Sequence, residues 1–131
     1  MEQRRVNPWG WQDQLAFSQA VEIPGTSRIL FCAGQASLDG QGRPVHPGDM
    51  RKQIEVAFQN LEAVLAASDF VLRDVTKVNY YTTDVDSFLA AYDIVATRFA
   101  AAGCQPASTL LGVARLAFPE LLVEIEATAA K

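Results

Sequence analysis

Two apolar stripes at helical spacing constrain the fold of this chain more than any other feature. Ile54, Phe58, Leu61 and Leu65 recur at i, i+4, i+7 and i+11, and Phe88, Tyr92, Val95 and Phe99 repeat the pattern. Each stripe marks an amphipathic helix, one from Asp49 to about Ser68, the other from Asp84 or Asp86 to Gly103. Asp suits the N-caps, and Gly103 suits a left-handed C-terminal stop. The segments around them keep a period of two. These are 15–23 (LAFSQAVEI), 28–35 (RILFCAGQ), 73–84 (RDVTKVNYYTTD), 108–117 (STLLGVARLA) and 121–129 (LLVEIEATA). PGTS between the first two predicts a hairpin.

The order is β-β-α-β-α-β-β, and two helices need one sheet face to cover. The expected fold is an α+β two-layer sandwich with both helices on that face. The opposite face is left bare. Val123, Ile125 and Ala127 point one way on the last strand, and Leu122, Glu124, Glu126 and Thr128 the other. Ser108, Leu110, Gly112 and Ala114 share a side of the fourth strand. An open face carrying apolar residues predicts a homo-oligomer. Residues 1–14 read as an N-terminal arm, and 15–131 as a single domain. Trp9 and Trp11 imply that the arm packs on the body or on a neighbour. The loop after Asp39 is long enough to serve as a lid or rim.

Composition narrows the function. The net charge is −4 and the only basic groupings are Arg4-Arg5 and Arg51-Lys52, so nucleic acid is not an expected partner. Apolar runs are too short and interrupted for a membrane span, and MEQRRVNPWGWQDQ lacks the apolar core of a signal peptide. Two cysteines, Cys32 and Cys104, make no disulfide framework, and a reduced cytoplasmic protein is expected. The lone His46 and the carboxylates show no metal-ligand spacing, and DGQGRP lacks the Lys-Ser/Thr of a phosphate loop.

Several stretches, taken together in order and spacing, resemble the reactive intermediate deaminase (RidA/YjgF, L-PSP endoribonuclease-like) family. They are FSQAV, CAGQ, LDGQG, QIEVAFQNLEAVLAAS, DVTKVNYYTTDVDSF and PASTLLGVARLAFPELLVEIEATAA. The resemblance implies a chorismate-mutase-like fold and a homotrimer whose sheets form a barrel. It also implies a small-molecule cleft at each subunit interface. Members of the family hydrolyse imines and enamines such as 2-iminopropanoate without a cofactor.

Residue by residue, the resemblance places Ser108 where active members carry an arginine. A guanidinium there would pair with a substrate carboxylate. Phe17 stands for a tyrosine, Leu110 for a cysteine, and Tyr92 falls near an asparagine. Glu124 matches the acidic residue that positions or activates water, and Gly34 lies where backbone approaches the ligand. Glu124 is thus the candidate catalytic acid/base, and Ser108, Phe17, Gly34, Tyr92 and Leu110 the candidate substrate-binding set. The expected protein resembles a divergent member that is not a standard 2-iminopropanoate deaminase. As an enzyme it would be a cofactor-independent hydrolase of imine- or enamine-like intermediates. Its substrate would depend less on a carboxylate, or would use Arg115 or another arginine. The alternative is a non-catalytic ligand-binding or regulatory trimer. Other readings stay open: Tyr92 as packing, Ser108 as a plain strand-start serine, and Glu124 with Glu126 as a solvent-facing or inter-subunit pair.

Overall fold

Asp49 opens the first helix as its spacing requires, its carboxylate accepting from the Lys52 amide at 3.1 Å. In the computed structural model, which describes residues 3–131, this helix is α1, Met50–Ala66. All four stripe residues, Ile54, Phe58, Leu61 and Leu65, are fully buried. Burying side chains of this kind stabilises by about 1.5–3 kcal/mol each relative to exposure.

The second expected helix is two. α2 spans Val85–Ala90 and α3 spans Tyr92–Ala102, divided at Ala91, which takes φ −104° and ψ 8°. The Ala91 amide donates to Ser87 O and Phe88 O, so the helical ladder tightens there. The apolar stripe crosses the break intact: the Phe88 and Tyr92 rings meet at 5.9 Å. Gly103 ends α3 at φ 68°. From α3, Arg98 pairs with Glu55 at 2.8 Å and Glu62 at 3.1 Å, which fastens it to α1.

The strands are β1 (Arg4–Val6), β2 (Ala20–Glu22), β3 (Ile29–Phe31), β4 (Gln35–Ala36), β5 (Val75–Thr82), β6 (Ala107–Gly112) and β7 (Val123–Ala130). The main sheet runs β3-β7-β5-β6, with β4 also paired to β7. β5 and β6 are parallel, as a crossover through α2 and α3 requires, and the other pairs are antiparallel. Helices lie on one face of an antiparallel-dominated sheet, the expected α+β two-layer class.

The expected 15–23/28–35 hairpin does not form. Residues 13–15 make a 3-10 turn, and Ala16 takes φ 56°. Ser18 is then held against the start of β6, its amide donating to Pro106 O at 3.0 Å and its hydroxyl to Gln105 O at 2.5 Å. Only Ala20–Glu22 remains extended, and it pairs with β1 of the arm. The expected 108–117 strand stops at Gly112. Its partner β5 ends at Thr82, and Val113 N donating to Thr82 O at 2.8 Å is the last bond between them.

The alternation on β7 holds. Val123, Ile125, Ala127 and Ala129 are buried under the helices, while Glu124, Glu126 and Thr128 look out from the other face. Ile29, Phe31 and Leu111 stand on that open face at 54%, 79% and 49% exposure. Within it, Lys77 donates to Thr109 at 2.7 Å. The loop after β4 is fastened, with Asn60 of α1 donating to Ala36 O at 2.9 Å and Leu38 O at 3.1 Å. Asp39 takes the Gln41 and Arg43 amides within the same loop.

Candidate functional site

The candidate residues fall into two groups, and pairing register says why. Residues directly opposite on neighbouring strands point to the same face. Ser108 pairs with Val78, and Leu110 with Tyr80, both buried on the helix side. Glu124 pairs with Tyr81 and Ala36 on the open side. One group therefore lies on each face, with β5 between them.

On the helix side Ser108, Leu110, Phe17 and Tyr92 line a single cavity of about 290 Å³. The structure places these four residues in one lining, with Phe17 arriving from a turn and not from a strand. Leu15, Tyr80 and Leu89 complete the lining. Tyr80 had a readable signal, since it lies two residues beyond Val78 on the same face of a strand. Leu15 and Leu89 had none, because the turn at Ala16 and the break at Ala91 set their positions.

The phenols of the cavity are neutral at ordinary pH. Burial pushes Tyr80 well above the usual phenol range and Tyr92 up to about 12. The Tyr92 hydroxyl donates to Leu15 O at 3.0 Å, which ties α3 to the turn and sets the cavity wall. Tyr92 therefore packs against Tyr80 and Phe88 and also lines the cavity. The Ser108 hydroxyl makes no hydrogen bond among the described residues, and no base stands by it to make it a nucleophile. Arg115 does not line the cavity; it follows β6 and its Nε donates to Leu116 O at 3.3 Å.

On the open side Glu124 lies against Gly34. A Cβ on Gly34 would come within 1.8 Å of Glu124 Oε1 and 2.6 Å of its Cδ. Only glycine leaves room for this carboxylate. Glu124 takes part in no ion pair among the described residues. Its neighbour Glu126 is engaged, accepting from Asn79 Nδ2 at 3.0 Å and the Tyr81 hydroxyl at 2.8 Å. These bonds, Asn79 first, hold the Glu126 carboxyl below the usual range, and the Tyr81 phenol is raised by the same contact.

Two residues that sequence reasoning missed hold the Glu124 edge. Gln53 is fully buried; its amide donates to His46 O at 3.0 Å and Glu120 O at 2.9 Å, and its oxygen accepts from Leu122 N at 2.8 Å. Asn60 fixes β4 just after Gly34. Both flank the apolar stripe of α1, the one sign available in the sequence.

The thiols and Trp9 do not line the cavity. Both thiols are buried and raised by burial, Cys104 to about 11, so neither is poised for nucleophilic chemistry. Trp9 and Trp11 are each 61% exposed, although the Trp11 ring meets Phe17 edge-on at 5.7 Å. Arg5 anchors the arm by donating to Gly103 O at 3.0 Å and Gln105 Oε1 at 3.3 Å. No helix among the described residues is long and apolar enough to cross a membrane.

Fold and site together define a small α+β protein with an apolar cavity on one sheet face and an isolated carboxylate on the other. Comparison with known proteins places it further. The family model described as Endoribonuclease L-PSP matches residues 12–131. The chain belongs to this family, the RidA/YjgF family of the sequence resemblance. A RutC family protein of Pyrococcus horikoshii is 33% identical over 115 residues, 88% of this chain and 86% of its own. A protein of Dermatophagoides farinae named 2-iminobutanoate/2-iminopropanoate deaminase is 32% identical over 100 residues, 76% of this chain and 74% of its own. A solved structure of a Rid family protein from Yersinia pestis, of unknown function, superposes with a TM-score of 0.89 at 32% identity, covering 100% of each chain.

Proposed function

We propose that this protein works as a homotrimer whose inter-subunit clefts each join the Ser108 cavity of one copy to the Glu124–Gly34 edge of the next. One observation carries the reading: the two halves lie on opposite faces of one sheet, so a single chain cannot bring them together. The main sheet ends in β6 on one side and in β3 and β4 on the other, edges through which copies can meet. The bare face with Ile29, Phe31 and Leu111 supplies apolar surface for the contact.

In this cleft the protein hydrolyses an imine or enamine-derived intermediate to a carbonyl compound and ammonia, without a cofactor. Glu124 takes a proton from water as the water oxygen bonds to the imine carbon. The π pair of the C=N bond moves to nitrogen, which takes that proton from Glu124. Glu124 then moves the proton of the carbinolamine hydroxyl to the amine; the C–O π bond forms as the C–N bond breaks, and ammonia leaves. A positioned carboxylate in such a role contributes about 10²–10⁴-fold. The named activity of the mite relative supports the reaction class. The substrate differs from 2-iminopropanoate, because Ser108 offers no bidentate charge to a carboxylate. That contact is worth about 1.5–3 kcal/mol.

Cleavage of RNA fits less well, since no cation lines the cavity and the net charge is −4. Retention of the cavity with Ser108 in it also suits a ligand-binding trimer without turnover, as an alternative. Such a protein would keep its ligand affinity in Glu124→Gln and turn nothing over. A cytoplasmic location accords with the reduced cysteines.

The test is an assay with 2-iminopropanoate generated in situ, run beside light scattering. The expected result is a trimer with about 10–100-fold less activity than arginine-bearing relatives, rising in Ser108→Arg. A monomer at micromolar concentration, or full activity in the unaltered protein, would overturn the reading.

A further inference from the structure

The cavity beside β6 has a composition that selects its ligand. Its side chains are Leu15, Phe17, Leu89 and Leu110 with three hydroxyl-bearing residues, and none is charged. One hydroxyl, that of Tyr92, is already bonded to Leu15 O. Those of Ser108 and Tyr80 make no bond to protein among the described residues, so the cavity offers short neutral polar groups and no cation. A carboxylate entering would lose water and gain no opposite charge, and burying an unpaired charge is strongly unfavourable.

Size adds to this. A dry apolar cavity of about 150 Å³ accommodates benzene. At about 290 Å³ this one has room for a ring with a short substituent. The wall at Phe17 is backed by the edge-on Trp11 ring, which gives a planar guest an aromatic surface at the rim. Glu124, in no ion pair among the described residues, brings a negative charge to the other half of the cleft. A ligand that spans both halves therefore needs an apolar end and a donor or positive end.

We infer that the cleft takes small molecules with an aromatic or branched apolar group and a neutral or cationic nitrogen, and excludes carboxylates. The nitrogen preference rests on the inter-subunit reading above, because Glu124 comes from a second copy. The apolar preference and the exclusion of carboxylates rest on the cavity of one chain.

Three probes of matched shape separate these elements: benzylamine, benzyl alcohol and phenylacetate. Each is titrated into the full-length protein at neutral pH and followed by the ¹³C methyl resonances of Leu15, Leu89 and Leu110. Benzylamine and benzyl alcohol are expected to shift these methyls and to bind at least about tenfold more tightly than phenylacetate. Benzylamine is expected to lead benzyl alcohol, a lead that disappears in Glu124→Gln. Phenylacetate binding as tightly as the alcohol overturns the inference, and so does the absence of methyl shifts with all three. Equal binding of amine and alcohol in a sample that scatters light as a monomer overturns the inter-subunit reading instead. The carboxylate comparison still stands in that case. Ser108→Arg should reverse the order toward phenylacetate.

Discussion

The two faces of the sheet follow different rules although the same strands build both. On β7 the residues Val123, Ile125, Ala127 and Ala129 meet α1 and are at most 2% exposed. The intervening Glu124, Glu126 and Thr128 meet no helix, and beside them Phe31 is 79% exposed. The helix face is completed within one chain. The open face combines apolar residues at Ile29, Phe31 and Leu111 with a polar centre of Lys77, Asn79, Tyr81, Thr109 and Glu126. Stability is concentrated on the first face; the proposed assembly draws on the second, and the proposed chemistry joins Glu124 there to the Ser108 cavity on the first. Alternation with period two lets one strand serve both without compromise.

The largest expected difference between the faces is in stability. Phe58 is fully buried, packs edge-on against Phe99 at 5.5 Å and lies beneath the Arg98 guanidinium. Phe58→Ala should cost about 3–5 kcal/mol. Phe31→Ala on the open face should cost a monomer less than about 1 kcal/mol. Urea denaturation of both variants at a concentration that keeps the chains apart measures the contrast. Equal losses would mean that the open face is packed within one chain.

A smaller effect is expected at Gly34, and there activity and stability separate. The added Cβ in Gly34→Ala would collide with the Glu124 carboxylate and come within 2.9 Å of its Cγ, so the side chain must turn from its base. The carboxylate swings aside while the backbone stays, so stability should change by less than about 1 kcal/mol. Displacing a reacting group by an ångström costs about a hundredfold in rate, and turnover should fall by that order. Unchanged turnover would show that the position of Glu124 does not matter to the reaction.

What was legible follows the same division. Helix stripes and strand alternation report burial against the chain's own core, so α1, the two faces of β7 and the α+β class were readable. The 15–23 strand was misread because Leu15, Phe17 and Gln19 alternate while Ala16 takes a left-handed conformation that no residue type announces. The break at Ala91 was hidden for a related reason: the apolar stripe continues across it. Of the site, the grouping of Ser108 with Leu110 follows from period two. Phe17 and Tyr92 joined them only through the family resemblance, because a turn and a broken helix deliver them. That Glu124 faces away from this group required the strand order, with β5 between β6 and β7.

The smallest expected effect lies in the polar centre of the open face. Glu126 accepts from Asn79 and Tyr81, and both bonds favour its ionised form, so its folded pKa lies below the unfolded value of about 4.3. Between those two values the unfolded chain binds more protons. The contribution is therefore complete above about pH 4.3 and is lost as pH falls through the folded value. Tyr81→Phe removes one donor and should move the Glu126 midpoint upward, and Asn79→Ala should move it further, since the Asn79 bond is the larger cause. Carboxyl-carbon resonances followed from pH 7 to pH 2 report the midpoint directly. An unmoved midpoint in both variants would leave Glu126 as an ordinary solvent-facing carboxylate. The same titration at rising protein concentration sharpens the contrast between faces. Covering the open face removes water from these hydrogen bonds, whereas Val123, Ile125, Ala127 and Ala129 on the helix face are already buried in one chain.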